Sequence, residues 1–484
     1  MRILIASPEA VPYVKTGGLA DVAGALVKEF RKMRHDAILV LPLYRAIRDR
    51  TQLADSGISM HIPVGDRFVN ARILSDKRAA YFVECDEFFD RPELYGTAQG
   101  DYSDNAARFS FFSKSVLEMC RKLNYRPDII HCNDWQTGLI PLYLKTIYKD
   151  EALFSKTATF MTIHNLGYQG LFPVSDMPLT NLGWEMFTTE GIEFYGKVNF
   201  LKAGLIAADV VSTVSETYSR EILLPESGVG LDGVLKRRER SLHGIINGID
   251  YGEWDPSADK FLPAHYTQKD LSGKALCKRD LLSTVFHTGK RRRQDRAPLL
   301  GMVTRLSEQK GLDLIVQAIP EIVAFGVRLV ILGKGDERFH KIFSDASEEY
   351  PENISVTIGF DEVLAHRIYA GSDFFLMPSH YEPCGLGQLI ALRYGSIPIV
   401  RKTGGLADTV QDFEPLTNKG TGFLFSDFSV TGMLDALKRA LCVYTDAEKM
   451  QIMVRRGMQA DFSWKRSAQR YAEIYKATLR EGKV

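Results

Sequence analysis

Hydrophobic residues in this chain gather into short unbroken runs, separated by stretches of helical spacing. Ile3-Leu4-Ile5-Ala6 is followed by the loop Lys15-Thr16-Gly17-Gly18, and then by Leu19, Val22, Ala23, Leu26, Val27 and Phe30, which share one helical face. A second run, Ala37-Ile38-Leu39-Val40-Leu41, comes next. Runs of this kind suit strands buried in a parallel sheet, and strand, loop, helix, strand is the opening of a doubly wound α/β fold. The same reading predicts strands at 127–131, 158–163 and 210–214. The pattern restarts with strands at 297–304, 327–332, 374–378 and 397–400. Strand and helix signals are weakest between 247 and 296, which places a domain boundary near residue 247.

Length supports the division, because one hydrophobic core rarely grows beyond about 250–300 residues and the chain has 484. A net charge of +1 gives no global field that would attract nucleic acid or an acidic membrane. The basic runs Lys236–Arg240 and Lys290–Arg296 are expected to be solvated loops. The six cysteines are scattered and form no C-x-x-C pair, so neither a zinc site nor a disulfide framework is indicated and a reducing, cytoplasmic setting is expected. Residues 1–14 do not read as a secretory signal, and no apolar run is long enough to span a bilayer.

In open α/β sheets ligands sit beyond the carboxyl ends of the strands, which singles out the polar residues placed there. Lys15, Gly17 and Gly18 form a strand-to-helix turn with bare amides and a cation, a composition suited to an anion. The string Lys15-Thr16-Gly17-Gly18-Leu19-Ala20-Asp21 recurs as Lys402-Thr403-Gly404-Gly405-Leu406-Ala407-Asp408, and a shared functional demand explains the whole repeat better than turn formation alone. Arg305 and Lys310, at a strand end and before a helix, offer two cations for phosphate. Glu382 reads either as an acceptor for sugar hydroxyls or as an acid interacting with a helix dipole. His164 and Asn165 read either as ligand-facing or as structural. Asp134 with Trp135 suits either a carbohydrate ring or ordinary packing, and Cys384 reads as a small buried residue. No phosphate-loop signature or Asp-x-Asp occurs, and Gly333-Lys334-Gly335 meets Arg338 where a dinucleotide fingerprint needs glycine. No metal and no cofactor are expected.

Five strings together resemble the bacterial glycogen synthase and plant starch synthase family: Lys15–Val22, His164–Gly170, Thr304–Gly311, Pro378–Leu386 and Arg401–Leu406. They span nearly the whole chain, in order. The resemblance implies two Rossmann-like domains facing across a cleft, the type B glycosyltransferase fold. Residues 1–246 would lie on the acceptor side, 247–463 would bind the donor, and a terminal helix from Trp464 to the chain end would pack back on the first domain. It implies a retaining transfer of glucose from ADP-glucose, or less favourably UDP-glucose, to the 4-OH at the non-reducing end of an α-1,4-glucan. Residues matching Arg305 and Lys310 would bind the diphosphate, those matching Lys15 and Gly18 the phosphates and sugar, and those matching Glu382, His164 and Asn247 the glucose. Asp21 and Asp134 would lie near the acceptor. Asn165, Cys384, Gly385, Leu386, Thr403, Gly404 and Gly405 fall within the matching strings and complete the expected substrate contacts. Many type B transferases carry a second glutamate where this chain has Ile390, which leaves ribose recognition unassigned. Rival readings are a transferase with a small acceptor and a catalytically silent carbohydrate-binding protein.

Overall fold

The computed structural model describes residues 1–97, 99–286 and 296–481. The chain divides into two compact units, Met1–Ile246 with Trp464–Val484, and Asn247–Ser463. Each carries its own hydrophobic core.

The first unit is built on a nine-stranded sheet. Its strands are β1 (Arg2–Ala6), β2 (Asp36–Pro42), β3 (Ala54–Val64), β4 (Arg67–Ser75), β5 (Ala80–Glu84), β6 (Ile129–Asn133), β7 (Ala158–Ile163), β8 (Val210–Thr213) and β9 (Leu242–Gly244). They lie in the order β9-β8-β7-β6-β1-β2-β5-β4-β3. All neighbours are parallel except β3 with β4 and β4 with β5. Strands buried on both faces are the unbroken apolar runs. The β3–β4 hairpin instead alternates: Met60, Ile62 and Val64 on one strand and Val69, Ala71 and Ile73 on the other face the core, with Met60 paired with Ala71 and Ile62 with Val69. Its turn is Gly65-Asp66, with Gly65 at φ +64°. Strand β1 feeds the helix α1 (Gly18–Lys32), and the six apolar positions expected on one face of that helix are all buried.

The second unit carries six parallel strands: β10 (Leu299–Leu306), β11 (Arg328–Gly335), β12 (Ile354–Ile358), β13 (Phe374–Met377), β14 (Ile397–Arg401) and β15 (Phe423–Phe425). Their order is β12-β11-β10-β13-β14-β15, the doubly wound arrangement. Strand order reverses direction between β10 and β13 here and between β1 and β6 in the first unit. Those two crevices are where such sheets take ligands.

Two expectations need correction. The segment after residue 247 contains a helix, Ser272–Val285, whose buried side is sparse, limited to Gly273, Cys277, Leu281 and Leu282, so it left little periodic signal. Lys236 and Arg237 do not lie in a solvated loop; they end the helix Asp232–Arg237. Arg238 is half-buried and donates to the carbonyls of Ala208 at 2.6 Å and Asp209 at 3.1 Å, just beyond the helix Phe200–Ala207. In the other basic run, residues 290–295 lie outside the described residues. The helix α2 (Trp464–Glu481) belongs to the first unit, where the Tyr475 hydroxyl pairs with His131 Nδ1 at 2.7 Å beneath the β6–β7 strands. Among the described residues, no helix is long and apolar enough to cross a membrane.

Candidate active site

In the second unit the crevice is closed by two loops that bind one another. Gly311 follows the short turn Glu308–Lys310 at φ +66°, and a Cβ there would lie 2.1 Å from the Pro378 carbonyl oxygen. Only glycine fits both demands, so the chain leaving β10 is pinned against the chain leaving β13. The Gln309 carbonyl accepts the His380 amide at 2.8 Å, and the Gln309 side-chain amide donates to the Tyr381 carbonyl at 3.2 Å. This brings Lys310 Nζ to 2.6 Å from Glu382 Oε2, with 14% and 7% of the two side chains exposed. Ser379 Oγ donates to the same oxygen at 3.0 Å. The next helix, α3 (Gly387–Arg393) in the sequence order between these loops and β14, begins five residues after Glu382. Glu382 therefore lies outside the first turn of that helix and beside the crevice. Arg305 stays exposed at the end of β10, reaching the Gln309 side-chain oxygen at 3.4 Å.

The loop after Glu382 is tightly folded. Cys384 is buried, and burial pushes its thiol up to about 12, as expected of an inert packing residue. The Asn247 backbone N–H points at that sulfur, while the buried Asn247 Oδ1 has no hydrogen-bond partner among the described residues. A buried acceptor of this kind takes its donor from outside the protein, from ordered water or from a ligand. Gly385 adopts φ +75° and leads through Leu386 into α3.

The second copy of the repeated string caps a short helix, Gly404–Thr409, with Thr403 as N-cap. Its glycines serve close packing. A Cβ at Gly404 would meet Glu382 O at 2.0 Å, and one at Gly405 would meet Cys384 O at 2.1 Å. The Gly405 amide is already committed to Glu382 O at 3.0 Å, so it does not offer the open amide expected from the sequence. The first copy differs. Gly17 has φ −149°, ordinary extended backbone, and the nearest atom to a Cβ there is Glu9 Oε1 at 4.0 Å. Gly17 faces open space, beside an exposed Gly18 and the start of α1. Lys15 Nζ lies 2.8 Å from the Asp21 carboxylate, whose pKa is nevertheless raised because burial outweighs the lysine.

Across the β1–β6 crevice, Asp134 leaves β6 at φ +55°, a sparsely populated conformation for aspartate. Its Oδ1 accepts the His164 amide at 2.7 Å. Burial first, and the nearby Glu9 charge, push its carboxyl up to about 8. His164 Nε2 lies 2.9 Å from Asn133 Oδ1. Asn133 Nδ2 donates to Ala6 O at 3.0 Å, which fixes the amide orientation and makes Oδ1 the acceptor. The proton of His164 is therefore on Nε2, Nδ1 is an acceptor, and burial keeps the ring neutral by pushing its pKa down to about 3. Asn165 Oδ1 accepts the Gly167 amide at 2.9 Å, shaping the turn. Trp135 is no sugar platform: it is buried, edge-on to Phe109 at 4.9 Å, and Gly170 exists to clear its ring.

Sequence reasoning missed two features. Glu9 is buried below the first glycine turn and accepts hydrogen bonds from the Thr16 hydroxyl at 2.9 and 3.0 Å and from the Thr16 amide. Its place, three residues after β1, follows the same strand-end rule that singled out Asp134. Phe360, two residues beyond β12, is 87% exposed; the strand before it is not among those the apolar runs predict, and its exposure shows only in the structure.

The family profile described as starch synthase catalytic domain matches residues 2–237, and that of glycosyl transferases group 1 matches residues 286–457. A glycogen synthase from Syntrophotalea carbinolica is 49% identical over 483 residues, covering 99% of both chains. This chain belongs to the glycogen synthase and starch synthase family. A second member, a glycogen synthase from Thermodesulfovibrio yellowstonii, is 45% identical over 499 residues and covers 99% of this chain and 98% of its own. The family fold extends to the catalytic domain of starch synthase IV from Arabidopsis thaliana, solved bound to ADP and acarbose. The two share a TM-score of 0.90 and 33% identity, with 99% of each chain covered. A sucrose-phosphate synthase from Thermosynechococcus elongatus, at 17% identity and a TM-score of 0.63, shares the fold.

Proposed function

We propose that this glucosyltransferase moves glucose from ADP-glucose to the non-reducing 4-OH of an α-1,4-glucan with retention at C1. The observation that carries the reading is the Lys310–Glu382 pair at 2.6 Å in the crevice between β10 and β13, beside the exposed Arg305. It joins a cation suited to a diphosphate to a carboxylate suited to sugar hydroxyls. Among the described residues both hydrogen bonds to the Glu382 carboxylate fall on Oε2, so Oε1 serves as acceptor for a glucose hydroxyl. Asn247 Oδ1 takes a second.

In the reaction the C1–O bond to the diphosphate breaks as the acceptor O4 bonds to C1 from the same face. The proton of the 4-OH passes to the departing phosphate oxygen. Arg305 and Lys310 stabilise charge that grows on the leaving group, the kind of preorganised stabilisation that removing one donor reduces by about 10²–10³ in turnover. In the first unit, taken by itself, the Gly17–Gly18 turn leaves its backbone open beside the start of α1, and Lys15 beside it is held by Asp21 at 2.8 Å. In the same unit His164 Nδ1 offers a neutral acceptor for a sugar hydroxyl, and Asp21 and Asp134 are the candidate carboxylates for the glucan. Phe360 supplies a stacking face for the base.

The test is release of nucleoside diphosphate from ADP-glucose and from UDP-glucose, with and without glycogen. Glycogen-dependent ADP release that drops by orders of magnitude in Arg305→Ala and Lys310→Ala is the expected result. Release independent of glucan, or near-normal turnover in both variants, overturns the reading.

A further inference from the structure

Lys334 is a cation that neither the family strings nor the reaction above employs, yet its placement is specific. The β10–β11 register runs to the strand tips, pairing Thr304 with Gly333, Arg305 with Lys334 and Leu306 with Gly335. The two glycines enforce this. A Cβ on Gly333 would lie 2.1 Å from Thr304 O, and one on Gly335 would lie 2.1 Å from Leu306 O. Neighbouring strands lie about 4.8 Å apart and register partners point to the same side, so Arg305 and Lys334 project together from the ligand-bearing edge.

Both are exposed, and among the described residues neither forms an ion pair. The acid nearest Arg305 in sequence, Glu308, is held by Arg338 at 3.0 Å. Asp336 and Glu337, just beyond Lys334, make no ion pair with it. Like charges set directly opposite one another across two strands are destabilising. A sheet edge that nevertheless keeps two adjacent cations is poised for a polyanion.

Strand order then orders the ligand. Phe360 follows β12, and the Gly359 amide ties that segment to Gly333 O at 2.8 Å. Across the edge the sequence is Phe360 at β12, Lys334 at β11, Arg305 at β10 and the Lys310–Glu382 pair at the β10–β13 crevice. A nucleotide-sugar laid along it has its base on the phenyl ring and its glucose at Glu382. The group over β11 is the ribosyl α-phosphate.

We propose that Lys334 binds the α-phosphate of the nucleotide and sets ground-state affinity for it. This rests on the donor reading given above. The experiment is calorimetric titration of wild type, Lys334→Gln, Lys334→Arg and Arg305→Ala with ADP, AMP and adenosine, alongside kcat and KM for ADP-glucose. Lys334→Gln is expected to weaken ADP and AMP roughly tenfold, as for loss of a hydrogen bond to a charged group, to leave adenosine unchanged, and to raise KM with kcat within about twofold. Lys334→Arg should retain most of the affinity. Unchanged AMP and ADP affinity in Lys334→Gln, or an equal loss for adenosine, overturns the proposal. The donor reading fails separately, if wild type binds no ADP or if Arg305→Ala binds it as wild type does.

Discussion

Lys310 and Glu382, 72 residues apart in the chain, meet at 2.6 Å because Gly311 lets the loop after β10 lie on the backbone leaving β13. The pair is mostly buried, which makes each partner's removal unequal to removal of both. Lys310→Ala leaves the Glu382 carboxylate without its cation, a change that costs up to about 3–5 kcal/mol when the charge is fully buried. The double variant Lys310→Ala/Glu382→Ala lacks the orphaned charge and is expected to recover stability relative to Lys310→Ala. Chemical denaturation of the two single variants and the double variant measures this coupling. Additive losses would show that the pair is not a unit. Turnover is expected to fall in all three.

Asp134 makes stability depend on pH. Its folded pKa, pushed up to about 8, lies above the value of about 3.9 for an unfolded aspartate. The folded state therefore binds this proton more tightly than the unfolded state. The group's contribution is fully present below about pH 4 and is lost progressively as pH rises toward about 8. Asp134→Asn keeps an acceptor for the His164 amide and removes the titration. The stability difference between wild type and Asp134→Asn is expected to shift across that window in favour of the variant, read from urea unfolding at several pH values. A difference constant with pH would place the Asp134 pKa near that of the unfolded chain.

Phe360 separates binding from folding. Its ring is 87% exposed, so truncation removes almost no core contact and the melting temperature should stay within about one degree of wild type. Base stacking on an aromatic ring is worth about 1–3 kcal/mol by alanine substitution. Phe360→Ala is thus expected to raise KM for ADP-glucose roughly five- to hundredfold, while Phe360→Tyr preserves it. Equal KM in the alanine variant would remove the base from this edge.

Legibility followed physical origin. Buried parallel strands announce themselves as apolar runs, so β1, β2, β6, β7 and β8 and the second unit's β10, β11, β13 and β14 were readable. The β3–β4 hairpin was not, because its signal is alternation with one face in solvent. The weakly amphipathic Ser272–Val285 helix left four buried positions. In the crevices, Arg305, Lys310, Glu382 and Asp134 stood out as polar residues after strands. That Lys310 grips Glu382, or that Asn133 orients His164, depends on contacts between residues far apart in sequence and is invisible in one dimension.

The repeated Lys-Thr-Gly-Gly string tests whether identical sequence means identical purpose. At Gly405 an added methyl would meet Cys384 O at 2.1 Å, and the contact is backbone, which has nowhere to go. Gly405→Ala is expected to lower stability by an amount typical of overpacking, about 1–3 kcal/mol, with the Glu382 loop displaced as a consequence. At Gly17 the nearest atom to the same methyl is 4.0 Å away and φ is −149°, so alanine fits the backbone without strain. If Gly17 is bare so that a substrate can approach its main chain, Gly17→Ala folds like wild type and loses activity all the same. Melting curves and kcat/KM on the two variants separate the cases: a Gly17→Ala protein of normal stability and normal activity would mean that the open side of that turn meets no substrate.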